Sequence, residues 1–302
     1  MAKRVLITGA SGFTGRYLSQ LLLGAGHSVV GVEIRRSEGS AGFASICCDL
    51  TDEKDTLQGA VDSFQPTHVV HLAAIANVTS SAPWEYYRTN VVGTENLLKS
   101  LNCGGKGIEK VVIASSANIY GNQRVSPIAE TASPEPVSHY AASKLAMEHI
   151  ARTFSDRLPI IIVRPFNYTG VGQSESYLVP KLVGHFVRGQ SEIALGNIDI
   201  AREFSDVRHV ATIYERLLDH GSPGMTVNIC SGAATSVKDI LGLLAEISGK
   251  SIRVSVDSRL VRAREIELLC GNNDLLTATI GELSPPSLRA TLEWMYVHGK
   301  PN

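Results

Sequence analysis

Tyr140 and Lys144 stand four residues apart in the run Tyr140-Ala141-Ala142-Ser143-Lys144. On a helix, positions i and i+4 share a face, so this spacing sets a phenol beside an ammonium. A phenol has an ordinary pKa of about 10, and a neighbouring cation favours its phenolate. Tyr140 so placed can exchange a proton with a hydroxyl or a carbonyl near neutral pH. Two surface residues at a common spacing would look the same, so the context decides. A Pro-rich loop (Pro127, Pro134, Pro136) precedes the helix, and before it an apolar run, Lys110 to Ala114, ends in Ser115-Ser116.

The second chemical stretch is Lys3 to Arg16. Val5-Leu6-Ile7 has the length and β-branching of a buried strand, and a helical apolar pattern begins near Phe13 and runs through Leu18, Leu21 and Leu22. Between them Gly9, Gly12 and Gly15 are spaced G-x-x-G-x-x-G. Such a turn allows a tight bend, close approach of a diphosphate to the backbone, and close packing of helix on strand. The helix N-terminus then offers free N–H groups and a partial positive charge to the phosphates. Gly9, Gly12, Phe13, Thr14 and Gly15 are therefore assigned to a dinucleotide.

The elements that must position these groups alternate. After the first helix comes a strand ending at Glu33, then one from Ser45 to Cys48, one from His68 to Leu72, Lys110–Ala114, and Leu158–Val163, with helices between, among them Trp84–Leu98 and Ser138–Phe154. This alternation implies an α/β fold, a Rossmann-type doubly wound parallel sheet. Residues 1–166 are expected to form the NAD(P)-binding domain. Residues 167–302 are expected to form a smaller, mixed α/β lobe that binds substrate, with late segments returning to the first part. Glu33 can accept the adenosine ribose hydroxyls of NAD, whereas Arg35 and Arg36 can hold the extra phosphate of NADP, and the sequence supports the two equally. Asp49, beside Leu50, can touch the adenine amino group or merely cap a helix. Leu72, Ala73 and Ala74 end a strand with small side chains that leave room for a flat cofactor. Asn90, inside a helix, is expected to bond a neighbouring loop.

Among 302 residues, 44% are hydrophobic and 19% charged, the composition of a globular enzyme. A net charge of −1 offers no general basic field for nucleic acid or an anionic membrane. No apolar run reaches the length of a membrane span, and the first strand begins so early that a signal peptide is not expected. Cys47, Cys48, Cys103, Cys230 and Cys270 have no metal-ligand spacing, so no metal is expected. All five are read as reduced packing residues of a cytoplasmic protein.

TGASGFTG, the HLAA of His71–Ala74, SSANIYG and YAASK together resemble the extended short-chain dehydrogenase/reductase family. The resemblance implies that Tyr140 is the acid/base, that Lys144 also holds the nicotinamide ribose, and that Ser116 bonds the reacting oxygen, with Ser115 the lesser choice. Further on, Arg164–Gln173 is similar to an R-P-F-N-x-x-G-x-G-Q segment of enzymes acting on GDP-linked 6-deoxy sugars. Gly196–Val207 resembles their G-N-x-x-x-x-R-D-F-x-D-V, and Asp257–Gly271 resembles the tract that holds the nucleotide. The likeness covers essentially the whole chain and implies a GDP-linked 4-keto-6-deoxyhexose as substrate and NADPH or NADH as cofactor; a homodimer is expected, although the resemblance does not supply the oligomeric state. For a diphosphate, arginine supplies a planar fork of donors, here Arg202 and Arg262. Glu265 can accept ribose hydroxyls and Asn167 can donate to the diphosphate or the sugar.

Two branches of the family differ at one position. GDP-mannose 4,6-dehydratases carry a Glu two residues after the catalytic Ser/Thr, to remove the C5 proton. Here that residue is Asn118, and an amide cannot serve as a base. The expected reaction is therefore that of the GDP-4-dehydro-6-deoxy-D-mannose reductases, C4 keto reduction to GDP-D-rhamnose. The alternatives are attack on the opposite face to give GDP-6-deoxy-D-talose, another sugar-nucleotide reductase, epimerase or dehydratase, and a non-catalytic NAD(P)-sensing protein.

Overall fold

A computed structural model of the chain describes residues 2–35, 42–52, 56–76, 82–105, 107–260 and 266–299. Arg36, Arg262 and Glu265 lie outside the described residues. The strands β1 (Arg4–Thr8), β2 (Ser28–Glu33), β3 (Ala44–Cys47), β4 (His68–His71), β5 (Lys110–Ala114) and β6 (Ile160–Pro165) run parallel in one sheet. Helices α1 (Phe13–Gly24), α2 (Thr56–Phe64), α3 (Pro83–Tyr87), α4 (Gly93–Gly104) and α5 (His139–Arg152) are interleaved with them.

The expected helix Trp84–Leu98 is two helices joined by a π turn, Arg88–Val92, and it continues to Gly104. A π turn fits one residue more than an α turn, and here Asn90 sits in it, buried.

The second half adds β7 (Tyr168–Thr169), α6 (Leu178–Val187), β8 (Glu192–Leu195), β9 (Ala201–Arg202), β10 (Ser205–Asp206), α7 (Val207–His220) and β11 (Thr226–Ile229). It ends with β12 (Thr235–Ser236), α8 (Val237–Ser248), β13 (Arg253–Val256), β14 (Leu268–Leu269), α9 (Asp274–Ile280) and α10 (Leu288–His298). β11 returns to the main sheet and pairs in parallel with β6, so the seven strands run β11-β6-β5-β4-β1-β2-β3.

Side chains alternate across this sheet with the period of two that a strand dictates. Val5, Ile7, Val70, Val112, Ile161 and Val163 face α1, α7 and α9. Leu6, Val69, Val111, Ile113, Ile160 and Ile162 face α2, α4 and α5. Both faces are covered, which is why the strands read as unbroken apolar runs. A third core joins α6, α8 and α10 to β8 through Phe186, Leu244, Leu292 and Ile193. The strand order reverses between β1 and β4, and Thr8 lies opposite His71 at their carboxyl ends. Ligands of such sheets bind at this crevice.

Cys48, Cys230 and Cys270 are buried free thiols, as packing residues should be. Cys47 and Cys103 are free but exposed, which corrects the packing assignment for those two. Cys103 lies in the last turn of a surface helix, and Cys47 ends the edge strand β3. Among the described residues no helix is long and apolar enough to cross a membrane, and no three His, Cys, Asp or Glu side chains gather as a metal ion would need.

Candidate active site

The turn after β1 is built for close approach. Gly9 has φ +73°, a conformation that side chains rarely adopt, and a Cβ on Gly15 would stand 2.2 Å from the Gly9 carbonyl oxygen. Gly12 occupies the N-cap of α1, where no side chain caps the helix and no acidic residue sits in the first turn. The N–H groups of that turn are thereby kept for a ligand. Phe13 and Thr14 open the helix and face the second half of the chain: the Phe13 ring stacks on Tyr168 (centroids 6.0 Å apart), and the Thr14 hydroxyl lies 2.7 Å from Tyr168 Oη.

Glu33 ends β2 and is buried beside the turn. One carboxylate oxygen accepts the Ser11 N–H (2.6 Å) and the other the Ser11 hydroxyl (2.7 Å). Arg35 follows on the exposed surface. Asp49 accepts both the N–H and the hydroxyl of Thr51 (2.8 Å each), beside buried Leu50. Leu72, Ala73 and Ala74 follow β4 at the crevice, and the Ala73 N–H donates to Thr8 Oγ1 (3.2 Å).

Tyr140 and Lys144 are buried on α5, whose N-cap Ser138 accepts the Ala141 N–H. Ser116 follows β5 in extended backbone and its hydroxyl reaches Tyr140. Ser115, one residue earlier, faces Glu148 instead, because neighbours on an extended chain point opposite ways. Lys144 Nζ donates to the Ala114 carbonyl (2.7 Å). Burial lowers its pKa to about 8, against the opposing charge of Glu148. The expectation that Lys144 draws Tyr140 toward phenolate is corrected. Burial pushes the Tyr140 phenol well above its ordinary value, and the Ser116 hydrogen bond offsets only part of this. The phenol is therefore held neutral, the state in which it can give up a proton.

Asn90 fixes this arrangement from the π turn. Its Oδ1 accepts the Ile75 N–H (2.9 Å), and its Nδ2 donates to Ser143 Oγ (3.0 Å), which in turn donates to the Tyr140 carbonyl (2.8 Å). The neighbouring chain of bonds has a fixed direction. Thr94 donates to the Asn90 carbonyl, so it must accept from His71 Nε2, which leaves His71 Nδ1 to accept from Thr8. Burial holds this imidazole neutral, its pKa lowered to about 3. His71 thus locks β1 to β4 at the reversal point and serves no acid–base role in this geometry.

A second buried network stands behind α5. Arg164 makes a two-pronged ion pair with Glu148 (2.9 and 2.8 Å), which also accepts from Arg152 (2.9 Å). Arg164 further donates to Tyr120 Oη (2.9 Å), and Tyr120 donates to Asn228 (2.8 Å). Sequence reasoning missed Thr8, Thr94, Ser143, Glu148 and Tyr168. The sole advance signal for Glu148 was its place four residues beyond Lys144, on the same helix face.

The second half reaches the site through the loop after β6. Besides Tyr168, Tyr17 donates to the Val171 carbonyl (2.7 Å) and Arg16 to that of Gly172 (3.2 Å), so helix α1 grips this loop directly. Asn167 is half-buried there, and its carbonyl accepts the Ser205 N–H. Arg202 on β9 is half-buried and donates to the carbonyls of Ala201, Glu267 and Ile266, at the edge of the tract assigned to the nucleotide. Its neighbour Glu203 is fully buried and accepts from the Ser231 N–H (2.6 Å) and the Gly271 N–H (2.5 Å). Burial raises the pKa of this carboxyl, and those donors oppose the rise.

The model of the NAD dependent epimerase/dehydratase family matches residues 5–230. GDP-6-deoxy-D-talose 4-dehydrogenase of Aggregatibacter actinomycetemcomitans is 37% identical over 97% of both chains. GDP-6-deoxy-D-mannose reductase of Pseudomonas aeruginosa is 32% identical over 97% of this chain and 98% of its own. The solved structure of RMD from Pseudomonas aeruginosa, complexed with NADPH, superposes with a TM-score of 0.86 at 28% identity over 99% of each chain.

The chain belongs to the NAD dependent epimerase/dehydratase family. It is an enzyme of the extended short-chain dehydrogenase/reductase type, and its cofactor is a nicotinamide dinucleotide, NAD(H) or NADP(H). The residues fit the cofactor: an uncapped helix N-terminus behind a glycine cradle suits a diphosphate, and Ala73 and Ala74 leave space at the strand ends. We assign Glu33 to the ribose by proposal, and its charge should oppose a 2′-phosphate. Glu33→Gln should raise the ratio of catalytic efficiencies for NADPH over NADH. An unchanged ratio in steady-state kinetics would remove Glu33 from the ribose site. Because Ser11 leans on Glu33, the KM of both cofactors should also rise.

Proposed function

We propose that this chain is an NAD(P)H-dependent 4-ketoreductase acting on GDP-4-dehydro-6-deoxy-D-mannose. The observation that carries the reading is the buried phenol of Tyr140 standing near Ser116, with an amide, Asn118, at the neighbouring position. A dehydratase needs a base there, whereas a ketoreductase needs none. The nicotinamide, when bound, supplies the hydride. Ser116 and Tyr140 bind the C4 oxygen, and Tyr140 gives that oxygen its proton. Lys144, held by the Ala114 carbonyl, keeps a positive charge near the phenolate left behind. Asn167, Arg202, Arg262 and Glu265 hold the sugar nucleotide in this reading. Residues 1–166 serve mainly the cofactor and residues 167–302 mainly the substrate. The protein acts as a cytoplasmic homodimer without a nucleic-acid or membrane partner, which a net charge of −1 suits.

The motifs point to GDP-D-rhamnose as product. A second reading, attack on the opposite face to give GDP-6-deoxy-D-talose, is favoured by the 37% identity to the talose 4-dehydrogenase against 32% to the mannose reductase. Face depends on how the ring is turned at the hydride donor. One experiment separates them: GDP-4-keto-6-deoxymannose is incubated with NADPH and then with NADH, and the product sugar is identified by NMR. Turnover to either C4 epimer supports the 4-ketoreductase, and the coupling constants at C4 choose the product. No consumption of the keto sugar with either cofactor would overturn the proposal.

A further inference from the structure

Ser116 sits between two partners. A hydroxyl has one proton to give and two lone pairs to receive. Both lone pairs are taken from the same side. The Asn118 backbone N–H donates to Ser116 Oγ at 3.2 Å, and the Asn118 side-chain Nδ2 donates to the same oxygen at 3.1 Å. The backbone bond comes with the 3₁₀ turn Ala117–Tyr120, which Ser116 caps. The side-chain bond depends on residue 118 being able to donate. With both lone pairs filled from Asn118, the hydroxyl proton is directed away from that residue, and Tyr140 is a group within its reach.

We propose that Asn118 is a positioning residue that makes Ser116 an obligate hydrogen-bond donor toward the reacting oxygens. This rests on the ketoreductase reading and deepens it. Without substrate the one Ser116 proton is aimed at the phenol; with the keto sugar bound the same proton is given to the C4 oxygen, beside the proton that Tyr140 supplies. A bound reduced nicotinamide would supply the hydride for the C4–H bond; the carbonyl π pair would move to the C4 oxygen, and the O–H bond of Tyr140 would break as its proton passes to that oxygen. Donors feeding into the serine oxygen polarise it and strengthen the bond it gives. Asn118 thus has a use of its own in the reductive direction.

The test is a change of sign at constant shape. Asn118→Asp replaces the amide with an isosteric carboxylate that accepts and cannot donate, so the Ser116 proton should turn away from Tyr140. We expect kcat on the keto sugar to fall by on the order of 10–100-fold, the range of a lost acid–base alignment, with KM and cofactor affinity little changed. Asn118→Ala, which deletes the donor without diverting the proton, should lose less. The deciding measurement is a double-mutant cycle with Ser116→Ala. If Asn118 acts through Ser116, neither substitution at 118 should lower kcat further once the serine hydroxyl is gone. Cofactor binding, followed by nicotinamide fluorescence, reports that each variant is folded. Should Asn118→Asp fail to bind cofactor, the cycle is closed with Asn118→Ala alone. Undiminished kcat in the 118 variants, or an equal loss with and without Ser116, would overturn the proposal. A wild type that reduces no keto sugar would instead overturn the ketoreductase reading, so the two failures are distinguishable.

Discussion

Replacing Tyr140 with Phe should cut turnover by on the order of 100-fold or more and leave sugar-nucleotide affinity nearly intact. The ring is retained, so its edge-on contact with Tyr86 (centroids 6.1 Å apart) survives. What goes is the proton and its donor oxygen. Because burial holds the phenol well above its ordinary pKa, wild-type reduction should not fade with pH through ionisation of Tyr140 until far into the alkaline range. Lys144, lowered to about 8, should titrate first. Its cation favours the phenolate product, so kcat should decline as pH rises through that value. Steady-state kinetics from pH 6 to 9.5 would show it, and near wild-type turnover in Tyr140→Phe would remove this residue as the acid.

Glu148→Gln should destabilise the fold by about 3–5 kcal/mol, the cost of leaving a buried charge without its partner. Glu148 is fully buried and Arg164 nearly so, and the pair joins α5 to β6. Urea denaturation would measure the loss, and a change below about 1 kcal/mol would mean that the pair is no more than a surface-grade contact. The effect has a sign in pH. Burial works to raise the pKa of this carboxyl, but its bonds from Arg164 and Arg152 prevail and hold it below the usual value. A depressed carboxylate stabilises fully above the unfolded value of about 4.3 and loses that contribution as pH falls through the folded one. The gap between wild type and Glu148→Gln should therefore be constant near neutrality and close in acid below pH 4.

The alternating β and α runs were legible because the inner strands of the parallel sheet are covered on both faces and carry apolar runs such as Val5–Ile7, Val111–Ile113 and Ile160–Val163. The glycine turn was legible for a steric reason, since no other residue tolerates the approach of Gly15 to the Gly9 carbonyl. The Tyr140–Lys144 pair was legible because residues four apart on one helix share a face. Long-range bonds were not. Nothing in the local sequence says that Tyr168 meets Phe13 and Thr14, or that Glu148 meets Arg164, because those contacts exist only after strands far apart in sequence pair. The state of the Tyr140 phenol was misjudged for a related reason. Spacing reports a neighbour, whereas burial, the larger effect on its pKa, is a property of the assembled fold. The two short strands β9 and β14, which carry Arg202 and the tract beyond it, have too few residues for any period to show.

The return of β11 to the edge of the main sheet bears on how such enzymes can be recombined. β6, with its row Ile160–Val163, pairs on one side with β5 and on the other with residues 226–229. A chimaera joined at residue 166, meant to graft a foreign second half onto residues 1–166, would replace that outer strand together with α7, which packs on α1. The recipient would meet a stranger's strand along its most apolar edge, or none, and an unpaired apolar edge is a template for aggregation. Substrate preference is therefore not a detachable cartridge here. A workable graft would exchange segments 167–206 and 230–271, with α6 and α8 included, and leave α7 and β11 between them native.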